Sequence, residues 1–391
     1  MIWYIAIIIL ILSFLVIIHE LGHLIVAKLC KIRVEEFGIG YPPRALKLFR
    51  FKNIDFTLNW IPFGGFVKME GEDPEEQRQA QQPVSKAKRK LASLKVEDGK
   101  IQFAQEGPFY EKSAWARLAV ILAGATVNFI FGALAFGAVF MMVGLPLSEP
   151  RVSEVVADSP AALAQVPSNV RIESLRFETT EVVTPQTEDV INAIQAHRGE
   201  YVELVTSGPC RGESCDSTEH VYPLYIRTES ETPQGEGAIG VVFDSTLFFP
   251  PVEMFFRSIA AGFFQATGLA VMTLTALGHL IADFITAGVV PQDVSGPVGI
   301  VYQSYKFDVL SNGLPMILNY MGLLSVSLAT MNILPIPALD GGRALFILLE
   351  KIFGKHYNQK YESYAHYVGY ILLLGLIVLV TVKDLWSVFQ P

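Results

Sequence analysis

Apolar runs long enough to cross a bilayer set the outer limits on what this chain can fold into. A span needs roughly 20 predominantly apolar residues to cross about 30 Å of hydrocarbon. Met1–Ile18 (running on into Leu29), Leu118–Val143 and Tyr367–Val382 with its flanks satisfy that. A fourth stretch, Leu314–Leu339, is as long but carries Asn319, Asn332, Pro335 and Pro337. Of the 391 residues, 51% are hydrophobic and 17% charged. That is too apolar for an ordinary soluble chain and too charged for a bare bundle, so spans joined to a water-exposed domain are expected. The net charge of −8 and the absence of a basic, aromatic-interleaved patch argue against nucleic acid as a partner. Met1–Ile18 has no basic leader region, and no small-residue cleavage site precedes His19. It therefore reads as a retained span and not as a signal peptide.

Charge asymmetry orients the spans. Between Lys28 and Arg117 lie 17 Lys/Arg against 12 Asp/Glu, whereas Gly144–Pro250 holds 6 against 17. Basic residues near span ends favour the cytoplasmic side. The first loop is thus expected inside, and the N-terminus and the Gly144–Pro250 region outside. Arg343, Lys351, Lys355 and Lys360 again mark a cytoplasmic segment before the last span.

Between the spans the patterning changes. Ile54, Phe56, Leu58 and Trp60 alternate with polar neighbours, which predicts a strand. Pro62-Phe63-Gly64-Gly65-Phe66 predicts a turn, with a return strand from Val67 and Met69. The result would be an apolar hairpin in the 30–117 loop, either dipping into the membrane or forming a small cytosolic sheet. Glu70–Lys100, rich in Glu, Gln and Lys, reads as a flexible insertion. Residues 146–245 form an α/β pattern of domain size. Strands are expected at Val152–Val156, Val202–Val205, Val221–Ile226 and Ala238–Phe243, and helices at Ser159–Gln165 and Glu188–His197. Pro250–Ala287 is apolar yet carries Glu253, Arg257, Gln265, His279 and Asp283, so it is either a fifth span or an amphipathic surface segment.

Chemistry enters with His19-Glu20-Leu21-Gly22-His23. On a helix, residues four apart share a face, so both imidazoles can bind one Zn²⁺ while Glu20 reaches its water. A catalytic zinc takes three protein ligands and keeps one position open. It brings the pKa of water to about 7, and a carboxylate general base takes the proton. His19 falls roughly 27 Å along a helix from Met1, within or near the hydrocarbon, where ionisable residues are costly and usually functional. The third ligand should reach the same depth. Asn332-Ile333-Leu334-Pro335-Ile336-Pro337-Ala338-Leu339-Asp340-Gly341-Gly342 supplies it best: the prolines interrupt the helix, the glycines allow close approach, and Asp340 is the ligand. Asp340 meets His19 and His23 only if the segments 1–29 and 314–342 run in the same direction. An odd number of spans must then lie between them, and 118–143 already provides one. Pro250–Ala287 is therefore expected not to cross, which leaves four spans with the last at 365–384. The histidines at 197, 220, 279, 356 and 366 lack ligand spacing and read as surface or packing residues. Cys210 and Cys215, expected outside the cytoplasm, form a disulfide candidate, since no paired Cys or His at metal-ligand spacing follows them.

These blocks together resemble the bacterial site-2 proteases of the RseP type, intramembrane zinc metalloproteases, over nearly the whole length. The resemblance rests on His19–His23, on Ile61-Pro62-Phe63-Gly64-Gly65-Phe66-Val67-Lys68-Met69, on the start of the second span, on Ser295-Gly296-Pro297-Val298-Gly299-Ile300 and on Asn332–Gly342. It implies a polytopic α-helical membrane protein with four transmembrane helices, a cytoplasmic membrane-associated β-hairpin and one extracytoplasmic PDZ-like α/β domain. It implies residence in the bacterial cytoplasmic membrane, with N- and C-termini extracytoplasmic. Its substrates would be single-span membrane proteins such as anti-sigma factors, already cut by another protease, and remnant signal peptides. By resemblance Asp340 is the third zinc ligand, Asn332 and Asn128 hold substrate, and Gly64, Gly65 and Phe66 belong to a β-loop that pairs with an unwound substrate strand. The chain departs from the family in four places. Gly124-Ala125-Thr126-Val127-Asn128 lacks a proline usual there. Val166-Pro167-Ser168-Asn169 replaces the usual PDZ carboxylate loop. One PDZ-like domain is present where many relatives have two, and the Glu70–Lys100 insertion is long.

Overall fold

The computed structural model describes residues 2–72, 94–97, 100–103, 106–147, 149–178, 180–184, 186–211, 214–233, 236–244, 246–287, 296–354 and 359–389. Most of the Glu70–Lys100 insertion, and Ser295, lie outside them. The chain forms two compact units, one of residues 1–139 with 262–391 and one of residues 140–261.

Helix α1 (Ile2–Leu29) is apolar around its whole circumference up to the His19 motif, as a lipid-embedded helix must be. It is followed by β1 (Val34–Phe51) and β2 (Ile54–Met69), one long hairpin. Its turn lies at Lys52-Asn53, both with left-handed φ (46° and 65°), as a two-residue hairpin turn demands. The expected reversal at Pro62–Phe66 is present as a second turn. Asp55–Leu58 runs parallel to Glu36–Ile39 and Gly65–Lys68 antiparallel to it, so the chain turns back between Leu58 and Gly65, with Gly64 at φ +82°. Pro62–Phe66 lies inside β2, where the register jumps between the pairs Tyr41–Ile61 and Ile39–Gly65 and the hairpin doubles back. Glu36–Ile39 consequently pairs on two sides, with Asp55–Leu58 and with Gly65–Lys68. Gly65–Met69 thus becomes an outer strand of the folded-over sheet. A short pair, β3 (Leu94–Glu97) and β4 (Lys100–Phe103), precedes α2 (Ala114–Val143). One core joins α1, the hairpin and α2 through Leu24, Ile32, Phe37, Met69, Val120 and Ile121.

The second unit is built on sheets. β5 (Leu145–Pro146) pairs with β13 (Thr246–Leu247), and β6 (Val152–Val155) with β12 (Val241–Phe243). α3 (Pro160–Leu163) starts on Ser159, whose hydroxyl accepts the Ala162 amide at 3.2 Å. β7 (Val170–Arg176), β8 (Glu181–Val183), β9 (Tyr201–Arg211), β10 (Ser214–Cys215) and β11 (His220–Tyr225) form a sheet of order β10-β9-β7-β8, with β11 also on β9. α4 (Thr187–Ala196) buries Val190 and Ile194 against Ile172, Leu175 and Leu204. Cys210 and Cys215 face each other across β9–β10 and are joined by a disulfide.

α5 (Pro251–Ala287) carries the chain onward, and α6 (Pro297–Lys306), α7 (Gly313–Ile333), α8 (Asp340–Phe353) and α9 (Gln359–Phe389) complete the helical unit. Cross-contacts give each helix a direction. The Tyr4 hydroxyl of α1 donates to Asp308, just before α7, while His19 of α1 meets Asp340, just after it. α1 and α7 therefore run the same way. α2 runs opposite to α1, with His23 on Val120 and Phe14 on Phe131. α9 runs opposite to α7, from His366 beside Ala338 to Asp384 beside Gly296. At that last contact the Asp384 carboxylate accepts the amides of Gly296 and Gly299 at 2.9 and 2.8 Å, closing the first turn of α6. Among the described residues five helices are long and apolar enough to cross a membrane: Trp3–Leu29, Ala114–Val143, Pro251–Leu280, Gly313–Ile333 and Glu362–Trp386. The segment read as amphipathic is thus a continuous 37-residue helix whose length and composition alone would allow a crossing. The third stretch stops being helical at Ile333, and Asp340 opens a new helix instead of ending the old one. Much of the expected 343–364 loop is α8, held to α2 by an Arg117–Glu350 ion pair at 2.9 Å.

Candidate active site

His19 and His23 project from the same face of α1, both buried, with their Nε2 atoms 3.2 Å apart. Gly22 lets α1 approach α2 closely, because a β-carbon there would lie 2.7 Å from the Ala123 carbonyl oxygen. Gly124 matters more. A side chain at that position would reach 2.5 Å from His23 Nε2 and 2.6 Å from His19 Nε2, into the space the two rings enclose. The His23 Nδ1–H donates to the Val120 carbonyl at 2.8 Å, which leaves Nε2 with a free lone pair.

Asp340 arrives from the other side of the unit. The helix of α7 ends where Pro335 and Pro337 withdraw backbone donors. The connecting turn includes Ala338 at φ +81°, and its amide donates to His366 Nδ1 on α9 at 2.9 Å. Gly342 tucks under that turn; a β-carbon on it would lie 3.0 Å from Pro337 Cα. Asp340 Oδ2 thereby stands 2.9 Å from His19 Nε2 and 3.3 Å from His23 Nε2.

His19, His23 and Asp340 form a group able to hold a metal ion. Donors at about 2.0–2.1 Å from one tetrahedral ion stand about 3.3 Å from each other, close to the observed 2.9, 3.2 and 3.3 Å. Lone pairs turned on one point repel unless a cation or a proton lies between them. The donor set of two imidazoles and one carboxylate suits zinc.

Glu20 lines a cavity of about 660 Å³ together with His23 and Asp340, and Gly65–Met69 forms part of its wall. The approach is close, since a β-carbon on Gly65 would lie 3.2 Å from Glu20 Cγ. Arg343, on the same wall, pairs with Glu72, whose charge holds the guanidinium above its ordinary value. Phe66 also lines the cavity, and Gly64, at φ +82°, packs on Tyr41. Asn128 is buried, its Nδ2 3.5 Å from His19 Nδ1. Asn332 sits half-buried on the last turn of α7 and is not on the cavity wall. Sequence reasoning passed over Gly124 and read His366 as a surface or packing residue. Neither carries a spacing signal, because each acts through a partner distant in sequence. Cys210 and Cys215 belong to the other unit.

The model of peptidase family M50 matches residues 7–376. The zinc metalloprotease RasP of Geobacillus kaustophilus is 28% identical to this chain, over 96% of both chains. A zinc metalloprotease of Clostridium perfringens is 33% identical over 95% of this chain and 96% of its own. The regulator of sigma-W protease RasP of Bacillus subtilis is 26% identical over 96% of each.

Proposed function

We propose, on the premise that this chain belongs to peptidase family M50 and is a zinc metalloprotease, that it cleaves single-span membrane proteins within or at the edge of the bilayer. His19, His23 and Asp340 hold the zinc, and Glu20 is the general base. The observation that carries this reading is the convergence of three ligand atoms beside Glu20 on a helix apolar enough to span a membrane.

Zinc, when bound, supplies the Lewis acidity that makes water a nucleophile near neutral pH. Glu20 takes the proton of the attacking water and returns it to the leaving amine, so a proton moves from one reacting atom to the other. The cavity wall at Gly65–Met69 offers an outer strand to an unwound substrate segment, with Gly64, Gly65 and Phe66 at its start. A helix engages its carbonyls internally, so a substrate span must unwind before it can be cut. Asn332, on the last turn of α7, is assigned to the same substrate strand.

Four crossings fit the helix directions better than five. Gly262 of α5 packs on Ala133 and Gly137, beyond Phe131 toward the Tyr4 end of the unit, and α6 lies at that same end. Were α5 to cross, the eight residues 288–295 would have to return the chain through the bilayer. At about 3.5 Å per residue they would barely reach across about 30 Å, with no helical hydrogen bonds to satisfy them. We accordingly assign α1, α2, α7 and α9 as the spans of a bacterial cytoplasmic-membrane protein. Its termini and residue 146–245 domain are extracytoplasmic. That domain is PDZ-like and serves as a size filter, so substrates arrive already shortened by another protease; anti-sigma-factor-like proteins and remnant signal peptides fit.

The test is co-expression with tagged single-span proteins. Wild type should shorten a substrate, Glu20→Gln should leave it intact while retaining about one zinc per chain, and His23→Ala should lose both. Cleavage by Glu20→Gln would sink the mechanism.

A further inference from the structure

We propose that Asn128 is a positioning residue for the zinc ligand His19: its side-chain oxygen accepts the Nδ1–H of that ring and fixes the tautomer that leaves Nε2 free. This rests on the reading of His19 as a ligand. A neutral imidazole that gives one nitrogen to a metal carries its proton on the other, and that N–H needs an acceptor. For His23 the acceptor is the Val120 carbonyl, at 2.8 Å. For His19 the side chain standing at Nδ1 is Asn128, at 3.5 Å.

Three observations point the same way. Asn128 is 1% exposed, deep in the helical unit where an amide is expensive unless paired. Its Oδ1 is buried without a hydrogen-bond partner, while its Nδ2 faces the ring. The two ends of an amide have the same shape, and exchanging them sets the orphaned oxygen on Nδ1–H. The backbone at Asn128 is itself held, since the Ser325 hydroxyl of α7 donates to its carbonyl at 2.8 Å. One face of α2 thus serves both rings. Val120 orients His23, Asn128 orients His19, and Gly124 between them leaves room for the pair. This replaces the substrate-holding role expected of Asn128 with one behind the ligand.

The experiment compares purified full-length wild type, Asn128→Leu, Asn128→Asp and His23→Ala. Asn128→Leu keeps the volume and loses the acceptor, whereas Asn128→Asp keeps the acceptor. The readouts are zinc release to a chromogenic chelator and the visible spectrum after Co²⁺ substitution. Thermal unfolding of the metal-stripped proteins serves as the folding control. Zinc release should be about 10- to 100-fold faster for Asn128→Leu, with shifted Co²⁺ bands, and near wild type for Asn128→Asp. Should Asn128→Leu not fold, Asn128→Ala takes its place in the same comparison. Release from the leucine variant at the wild-type rate overturns the proposal, as does equal loss from the leucine and aspartate variants, which would mark a packing role. Zinc retained by His23→Ala would instead overturn the ligand assignment on which the proposal stands.

Discussion

Gly124 sets the tolerance of the whole site. Its missing β-carbon is the space in which His19 and His23 meet, and a methyl would sit 2.5–2.6 Å from both Nε2 atoms. Alanine is the better helix former by about 1 kcal/mol. We therefore expect Gly124→Ala to leave the metal-stripped protein at least as stable while zinc content and cleavage fall together. Normal zinc content by elemental analysis would contradict this. The two effects have opposite sign because one belongs to α2 alone and the other to its neighbours. The same division explains what could be read at this scale. His19, Glu20 and His23 are legible because one helix turn brings them together, and Asp340 because two prolines break the helix before it and two glycines follow it. His366 is not legible. Its role is to accept the Ala338 amide from another helix, and nothing in its neighbours along the chain announces that contact.

Elements were legible where local pattern decides them. In the second unit β6, β11 and α4 form within a residue or two of the expected positions, because alternation and turn residues there agree with the tertiary fold. The turn at Lys52-Asn53 is an addition that local pattern does not announce. Pro62–Phe66 turns as its composition predicts and is where the long hairpin doubles over, whereas Lys52-Asn53 turns with much weaker local signal. Cross-strand pairing of Arg44–Phe51 with Ile54–Asn59 sets that turn, not local preference. The Gly296-Pro297-Val298-Gly299 block likewise gains its meaning from a distant partner, Asp384 near the end of α9. Asp384→Ala would leave two buried amides without their acceptor, at about 1–3 kcal/mol. The expected result is a lower unfolding temperature in detergent with zinc content unchanged, since Asp384 lies at the opposite end of α9 from His366. A variant that unfolds like wild type would show that α6 does not depend on this contact.

At the scale of the molecule, two consequences of the proposed arrangement can be measured. The first concerns the substrate. Its backbone must be freed to lie along Gly65–Met69, so Gly or Pro introduced near the cut should speed cleavage, and a Leu-rich replacement should slow it. Equal rates for the two would argue against strand addition.

The second consequence concerns which side of the membrane each part occupies. The direction of α1 and α7 is the same, and that of α2 and α9 opposite, and the four proposed crossings would leave residues 146–245 extracytoplasmic. The segment between α1 and α2 is rich in basic residues, a composition that favours the cytoplasmic side for it under that proposal. The three cysteines of the chain report on this division. Cys210 and Cys215 are joined in the second unit, in keeping with an oxidising exterior, while Cys30, just past the end of α1, is a free thiol. A membrane-impermeant maleimide applied to intact cells should therefore label nothing at first. After mild reduction with an impermeant phosphine it should label Cys210 and Cys215 and still spare Cys30, which reacts once the cells are opened. Were α5 a fifth crossing, α7 could not run parallel to α1 without a return through residues 288–295. A single cysteine placed at Thr286 separates the two cases, because four crossings leave it on the labelled side and a crossing α5 carries it to the side of Cys30. Labelling of Cys30 before Cys210 and Cys215 would invert the whole assignment.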